Sequence, residues 1–86
     1  MSEAYDLYQQ GLGHLRSGMP AQATVALEKA KRLEPEKASI REALGIAYFR
    51  IRRWPEAEAE FRKVLDLPYL PDWRFEPFIT SNTAPA

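Results

Sequence analysis

Residues 44–61 read LGIAYFRIRRWPEAEAEF. In this stretch Gly45 and Tyr48 stand about one helical turn apart, Ala57 and Phe61 do the same, and a proline lies between the two pairs. Small and apolar residues at this spacing are typical of amphipathic helices. Because proline is well tolerated in the first turn of a helix, the stretch predicts two helices joined by a short turn.

The same pattern occurs earlier in the chain. Gly11 precedes Gly45 by the same interval that separates Ala23 from Ala57. Other identical residues at this interval are Ala4 and Ala38, Arg16 and Arg50, Lys29 and Lys63, and Leu33 and Leu67. A plain helical bundle is the alternative interpretation, but a bundle has no need of a repeat period. The repetition therefore favours stacked helical hairpins.

The repeat period, together with the pattern Leu-Gly-x2-Tyr, Ala-x3-Phe and a later proline, resembles the tetratricopeptide repeat family. This resemblance implies an all-α fold of two antiparallel helix-turn-helix hairpins with right-handed superhelical stacking. The repeats are expected at about residues 4–37 and 38–71, and the domain at residues 1–67. Departures from the family pattern are Leu7, His14 and Leu27 in the first copy, and Arg41 and Val64 in the second.

Capping residues and prolines predict where the helices begin and end. Helices are expected at about residues 3–17, 20–33, from after Pro35 to 51, and 54–67. Ser2 is placed as an N-cap, and Gly18 is placed to end the first helix. Gly11 and Gly45 each cost about 0.5 to 1 kcal/mol inside a helix, so each predicts close approach of the partner helix. The predicted core is Ala23, Ala26, Leu27, Ala30, Leu33, Ile40, Leu44, Ala47, Tyr48, Ile51, Ala57, Phe61, Val64 and Leu65.

Composition narrows the possible functions. Twelve basic and twelve acidic residues cancel, so the broad basic face that a nucleic-acid or membrane partner requires is not expected. The sequence shows no cysteine, no secretory signal and no long apolar run, and we expect a cytoplasmic protein with neither disulfides nor a thiolate metal site.

Ionisable residues do not form a recognisable catalytic set. His14 is the single histidine, and its place in the repeat favours a packing role. We therefore expect no enzyme, cofactor or metal; activity lost on His14→Ala would revive the enzyme alternative. The charges near the end of the second helix, Lys29, Lys31 and Arg32, are interpreted as solvated. The carboxylates of Glu56, Glu58 and Glu60 are expected to diverge.

The resemblance also implies a binding surface. In this family the first helices of successive repeats line a concave groove that accepts a peptide or a partner helix. Carried over to this chain, the groove residues are Tyr5, Tyr8, Leu12, Leu15, Arg16, Ser39, Glu42, Ile46, Phe49 and Arg50. Their apolar and aromatic character favours an apolar or aromatic ligand over capture of a terminal carboxylate.

The repeat pattern ends near residue 68. Residues 68–79 form an aromatic and proline-rich tail, and residues 80–86 are expected to be disordered. Because repeat arrays need about three units and a cap, we expect Trp73, Phe75 and Phe78 to be buried on the fourth helix or in a neighbour's groove. The predicted function is a self-associating protein-interaction scaffold, most simply a homodimer. The alternative is a purely structural assembly unit whose groove holds its own or a neighbour's tail.

Overall fold

The computed structural model describes residues 2–67, which form four α-helices. The helices are α1 (Glu3–Arg16), α2 (Pro20–Leu33), α3 (Ala38–Arg50) and α4 (Trp54–Asp66). Ser2 caps α1, since its Oγ accepts a hydrogen bond from the Tyr5 backbone N–H at 3.0 Å. Pro20 and Pro55 lie in the first turns of α2 and α4, where the missing N–H breaks no helical bond. The predicted all-α fold is confirmed.

The helices pack as two hairpins. The short turns bring α1 against α2 and α3 against α4, and α2 packs against α3. At the C-terminal end of α3, Nη1 of Arg50 donates to the Leu15 carbonyl oxygen near the C-terminal end of α1, at 3.1 Å. The two helices therefore lie side by side and run in the same direction.

The turns of the two hairpins share the same backbone hydrogen bonds. In the first turn the Met19 N–H donates to the His14 carbonyl at 2.8 Å, and in the second the Arg53 N–H donates to the Tyr48 carbonyl at 2.9 Å. These bonds are those of the Schellman motif, which closes a helix through one left-handed residue. Since corresponding residues of the two copies make them, the repeat extends from sequence to backbone geometry.

The left-handed residue is Gly18 in the first turn (φ 75°) and Arg52 in the second (φ 66°). A residue with a Cβ loses about 1 to 2 kcal/mol in this conformation, whereas glycine adopts it freely. Arg52→Gly should therefore raise the free energy of unfolding by about 0.5 to 1 kcal/mol after the greater entropy of the unfolded glycine chain is deducted. Urea denaturation measures the change, and Gly18→Ala, as the control, should shift the midpoint downwards.

The core lies between the two hairpins and is built around small residues. Leu27 and Leu44 are fully buried beside Ala23 and Ala47. The side chain of Leu27 occupies the space where a Cβ on Gly11 would stand, and the Phe61 ring does the same at Gly45. The close approach predicted at both glycines is confirmed.

Two residues of the predicted core are exposed instead. Leu33 is 49% exposed at the last position of α2, and Leu65 is 84% exposed on α4. Helical spacing placed both on apolar stripes, but spacing does not show how far a neighbouring helix extends. No helix among residues 2–67 follows α4 to cover its outer side.

Candidate functional site

The predicted groove residues lie on α1 and α3, the two helices that run side by side. We call this surface the α1–α3 face; its members are Tyr5, Tyr8, Leu12, Leu15, Arg16, Ser39, Glu42, Ile46, Phe49 and Arg50. Tyr5, Ile46 and Phe49 are exposed to 49%, 39% and 57%. Single exposed apolar side chains are common, but several on one face make that face a candidate contact surface.

The middle of the α1–α3 face rests on the core. Tyr8 and Leu12 are half-buried and pack against the core cluster, and Leu15 is a buried member of that cluster. Leu15 therefore offers the face its backbone carbonyl, which accepts the hydrogen bond from Arg50, while its side chain points into the core. Arg16 and Glu42 are exposed; Arg16 places a positive charge on α1 and Glu42 a negative charge on α3.

An aromatic pair forms one end of this surface. The rings of Phe49 and Trp54 meet edge to face, with centroids 4.9 Å apart and planes at 64°, and Trp54 is 51% exposed. Beside them the Arg53 guanidinium lies 5.9 Å from the centroid of the Tyr48 ring. Sequence analysis had assigned Trp54 only to the start of α4. The sequence signal that could have indicated this pair was the presence of a second aromatic residue directly across the turn from Phe49.

A buried cluster of charges joins three helices. Glu60 of α4 is 6% exposed; its Oε2 accepts a hydrogen bond from Lys31 Nζ at 2.7 Å and its Oε1 accepts one from Arg41 Nη1 at 2.9 Å. Arg41 also donates from Nε to the Pro35 carbonyl at 2.7 Å. Both oxygens of the carboxylate are engaged by cations, so the ion pairs hold α2, α3 and α4 together.

The interpretation of Lys31 as a solvated charge was wrong. Its side chain is only 24% exposed and is paired with Glu60, whereas Arg32, as expected, is largely in water. The helical pattern could not distinguish these two neighbouring cations, since their difference depends on a residue 29 positions away from Lys31. Two signals in the sequence pointed to this cluster. Arg41 stands at a position that is usually apolar in the repeat, and Glu60 comes directly before the predicted core residue Phe61.

Two further carboxylates of α4 are engaged separately. Glu56 pairs with Arg53 at 3.5 Å and Glu58 pairs with Arg62 at 2.8 Å. Within residues 2–67, acidic and histidine side chains do not gather in a group of three or more that could hold a metal ion. The helices of this same range are each too short or too polar to cross a membrane.

The tail residues expected to make contacts, Trp73, Phe75 and Phe78, lie outside the described residues. Their predicted burial on α4 or in a neighbouring copy stays a prediction.

Comparison with known proteins shows similarity to a pilus assembly protein. The chain is 39% identical over 64 residues to the type IV pilus assembly protein PilF of Pseudomonas aeruginosa, a match that covers 73% of this chain and 25% of that protein. The matched part thus spans about a quarter of the relative's length. No protein-family model and no solved structure matches significantly. Four helices in two hairpins that repeat in sequence and in turn geometry are consistent with tetratricopeptide-like repeats.

Proposed function

We propose that this chain is a tetratricopeptide-type protein-interaction module that binds an apolar or aromatic peptide, or a partner helix, on the α1–α3 face. The observation that carries the proposal is the row of exposed apolar side chains on two parallel helices, which ends at the Phe49–Trp54 pair. The face is displayed by backbone elements that the Arg50 hydrogen bond holds together.

The energetics of recognition favour this end of the face. Binding energy at protein interfaces is concentrated in a few aromatic and arginine residues, and Phe49, Trp54 and Arg50 lie close together in the chain at this end. The edge-to-face contact restricts both rings before a ligand arrives. Restricted side chains lose less conformational entropy on binding, so more of the contact energy becomes affinity.

The similarity to PilF supports a role in assembly. That protein is named for assembling a type IV pilus, and assembly proceeds through contacts between proteins. Self-association, a cytoplasmic location and the lack of catalytic activity belong to the proposal for this chain. The exposed outer side of α4, represented by Leu65, supports self-association in particular.

Binding on this face can be tested with single substitutions. Phe49→Ala and Trp54→Ala should each weaken a peptide complex about tenfold or more, because a truncated interface aromatic commonly removes about 2 kcal/mol. Both residues are more than half exposed, so the melting temperature should change little. The measurement is fluorescence anisotropy with peptides selected from a displayed library, starting with the peptide of residues 68–79.

Val25→Ala is the matched control. Val25 is 59% exposed, close to the 57% of Phe49, but it lies on α2. Its truncation should leave the affinity unchanged. Selected peptides that bind Phe49→Ala and Trp54→Ala as tightly as the unaltered protein would contradict the proposed site.

The alternative role, a structural unit whose α1–α3 face is filled by its own or a neighbour's tail, makes a different prediction. Removal of residues 68–86 would then free the face and increase the affinity for the labelled peptide of residues 68–79. If the face is open to foreign ligands in the full chain, the deletion should leave the affinities of selected peptides unchanged.

A further inference from the structure

The outer side of the first hairpin carries two adjoining surface cavities. One, of about 350 Å³, is lined by Leu7, Gln10, His14, Gln22, Val25, Ala26 and Lys29. The other, of about 280 Å³, shares Leu7 and Lys29 and adds Glu3, Arg32 and Leu33. We call the surface around both cavities the α1–α2 end face. All of its side chains come from the first hairpin and its N-terminal turn.

We call the contact between the first and second hairpins the internal joint. The repeat period relates the end face to this internal joint. On the second hairpin, Arg41 and Glu60 receive Lys31, which reaches across from α2. The three side chains form the polar centre of that joint. In the first repeat, Leu7 occupies the position of Arg41 and Ala26 occupies the position of Glu60. The end face is thus the first hairpin's counterpart of the surface that the second hairpin uses for stacking.

The complementary half of the joint recurs on α4, the last helix of the described residues. The residue one repeat period after Lys31 is Leu65, which is 84% exposed on α4. At this second joint the two cations and the carboxylate of the internal joint would be replaced by Leu65, Leu7 and Ala26. The three replacements match in polarity, because apolar residues stand at the corresponding positions of both halves. A charge on one half alone would face a hydrocarbon surface, which is unfavourable.

We propose that the α1–α2 end face accepts α4 of a second copy of this chain, with Leu65 of that copy seated in the cavity beside Leu7 and Ala26. The inference rests on the proposed self-association and assigns its surface. A second copy is the favoured occupant because one chain carries both matching halves. The contact is head to tail, so each added copy leaves one end face and one α4 free. Growth by stacking would continue the internal repeat from one molecule to the next.

Sedimentation velocity of the full chain at increasing concentration provides the test. The average mass should rise with concentration for the unaltered protein. Leu65→Lys should weaken the association about tenfold or more, because its ammonium would be placed against the hydrocarbon of Leu7 and Ala26 and beside the like charge of Lys29, which also lines the cavity. Met19→Lys is the matched control: Met19 is 41% exposed in the α1–α2 turn and belongs to neither half of the joint, so its association should equal that of the unaltered protein.

A mixing experiment tests the head-to-tail geometry. Leu7→Arg introduces at the end face the arginine that the second hairpin carries at the corresponding position, Arg41. Circular dichroism checks that this variant folds. At the lowest concentration at which the unaltered protein associates, Leu7→Arg alone and Leu65→Lys alone should each remain monomeric. Their mixture should form a dimer that grows no further, because it contains one intact α4 and one intact end face that can meet. A mixture that stays monomeric would overturn the proposal.

The outcomes separate this inference from the proposed self-association. If the unaltered protein associates and Leu65→Lys associates equally well, the end-face joint is wrong while self-association stands through another surface. If the unaltered protein is monomeric throughout, both are wrong, and peptide binding by the α1–α3 face is unaffected. If Leu65→Lys lowers the melting temperature of a monomer, Leu65 is covered within its own chain and the proposal is overturned.

Discussion

Glu60→Ala should lower the free energy of unfolding by about 3 kcal/mol, because the loss of one partner from a buried ion cluster leaves the other charges uncompensated. Lys31 and Arg41 have side chains only 24% and 14% exposed, so water would replace the carboxylate incompletely. Small domains are stable by about 5 to 15 kcal/mol in total. Urea denaturation followed by circular dichroism should therefore show a large decrease in the midpoint.

Two variants provide the controls for Glu60→Ala. Glu58→Ala breaks an ion pair whose side chains are 63% and 74% exposed, and it should cost no more than about 0.5 kcal/mol. Replacement of Lys31, Arg41 and Glu60 together by apolar residues should recover much of the loss, since apolar substitutes for buried ion clusters are often tolerated. Equal effects of Glu58→Ala and Glu60→Ala would show that the buried cluster contributes little.

Gly45→Leu should be at least as damaging as Glu60→Ala. A Cβ at Gly45 would lie 2.6 Å from Cε1 and 2.8 Å from Cζ of the Phe61 ring, which is closer than non-bonded carbon atoms approach in proteins. The ring would have to move and separate α3 from α4, and overpacking of this kind costs about 1 to 3 kcal/mol even for small insertions. Leucine adds three further carbons to that collision, and thermal unfolding should show a much lower melting temperature.

Alanine at this position distinguishes steric overlap from helix propensity. Gly45→Ala should also destabilise, although alanine is the better helix former by about 1 kcal/mol. Gly13 is the matched control, because a Cβ there would meet no atom within 4 Å. Gly13→Ala should therefore stabilise the protein by about 1 kcal/mol. A stabilising effect at both glycines would contradict the close-packing explanation.

The α1–α3 face was only partly accessible to sequence reasoning. Helical spacing assigned Tyr5, Ile46 and Phe49 to α1 and α3, and all three are exposed. Trp54 was missed as a member of the same region because its contact with Phe49 crosses a turn. Leu15 was included for its side chain, yet it contributes a carbonyl. Spacing identifies the side of a helix but carries no information about which atoms remain free after packing.

The repeating unit follows from local features of the sequence. Local causes act within a few residues, and they were sufficient for the four helices, the Ser2 cap and the turn at Gly18. Gly11 and Gly45 also indicated their close contacts, since a glycine inside a helix has a cost that packing must offset.

The contacts between distant residues depend on how the helices pack against one another. The pairing of Glu60 with Lys31 and Arg41 joins three helices, and neither the charges nor their spacing in the chain distinguishes it from a solvated cluster. The exposure of Leu65 was likewise decided by where α4 lies relative to the other helices. Both have the same cause: burial depends on which surfaces other segments cover, and that coverage exists only once the hairpins have stacked.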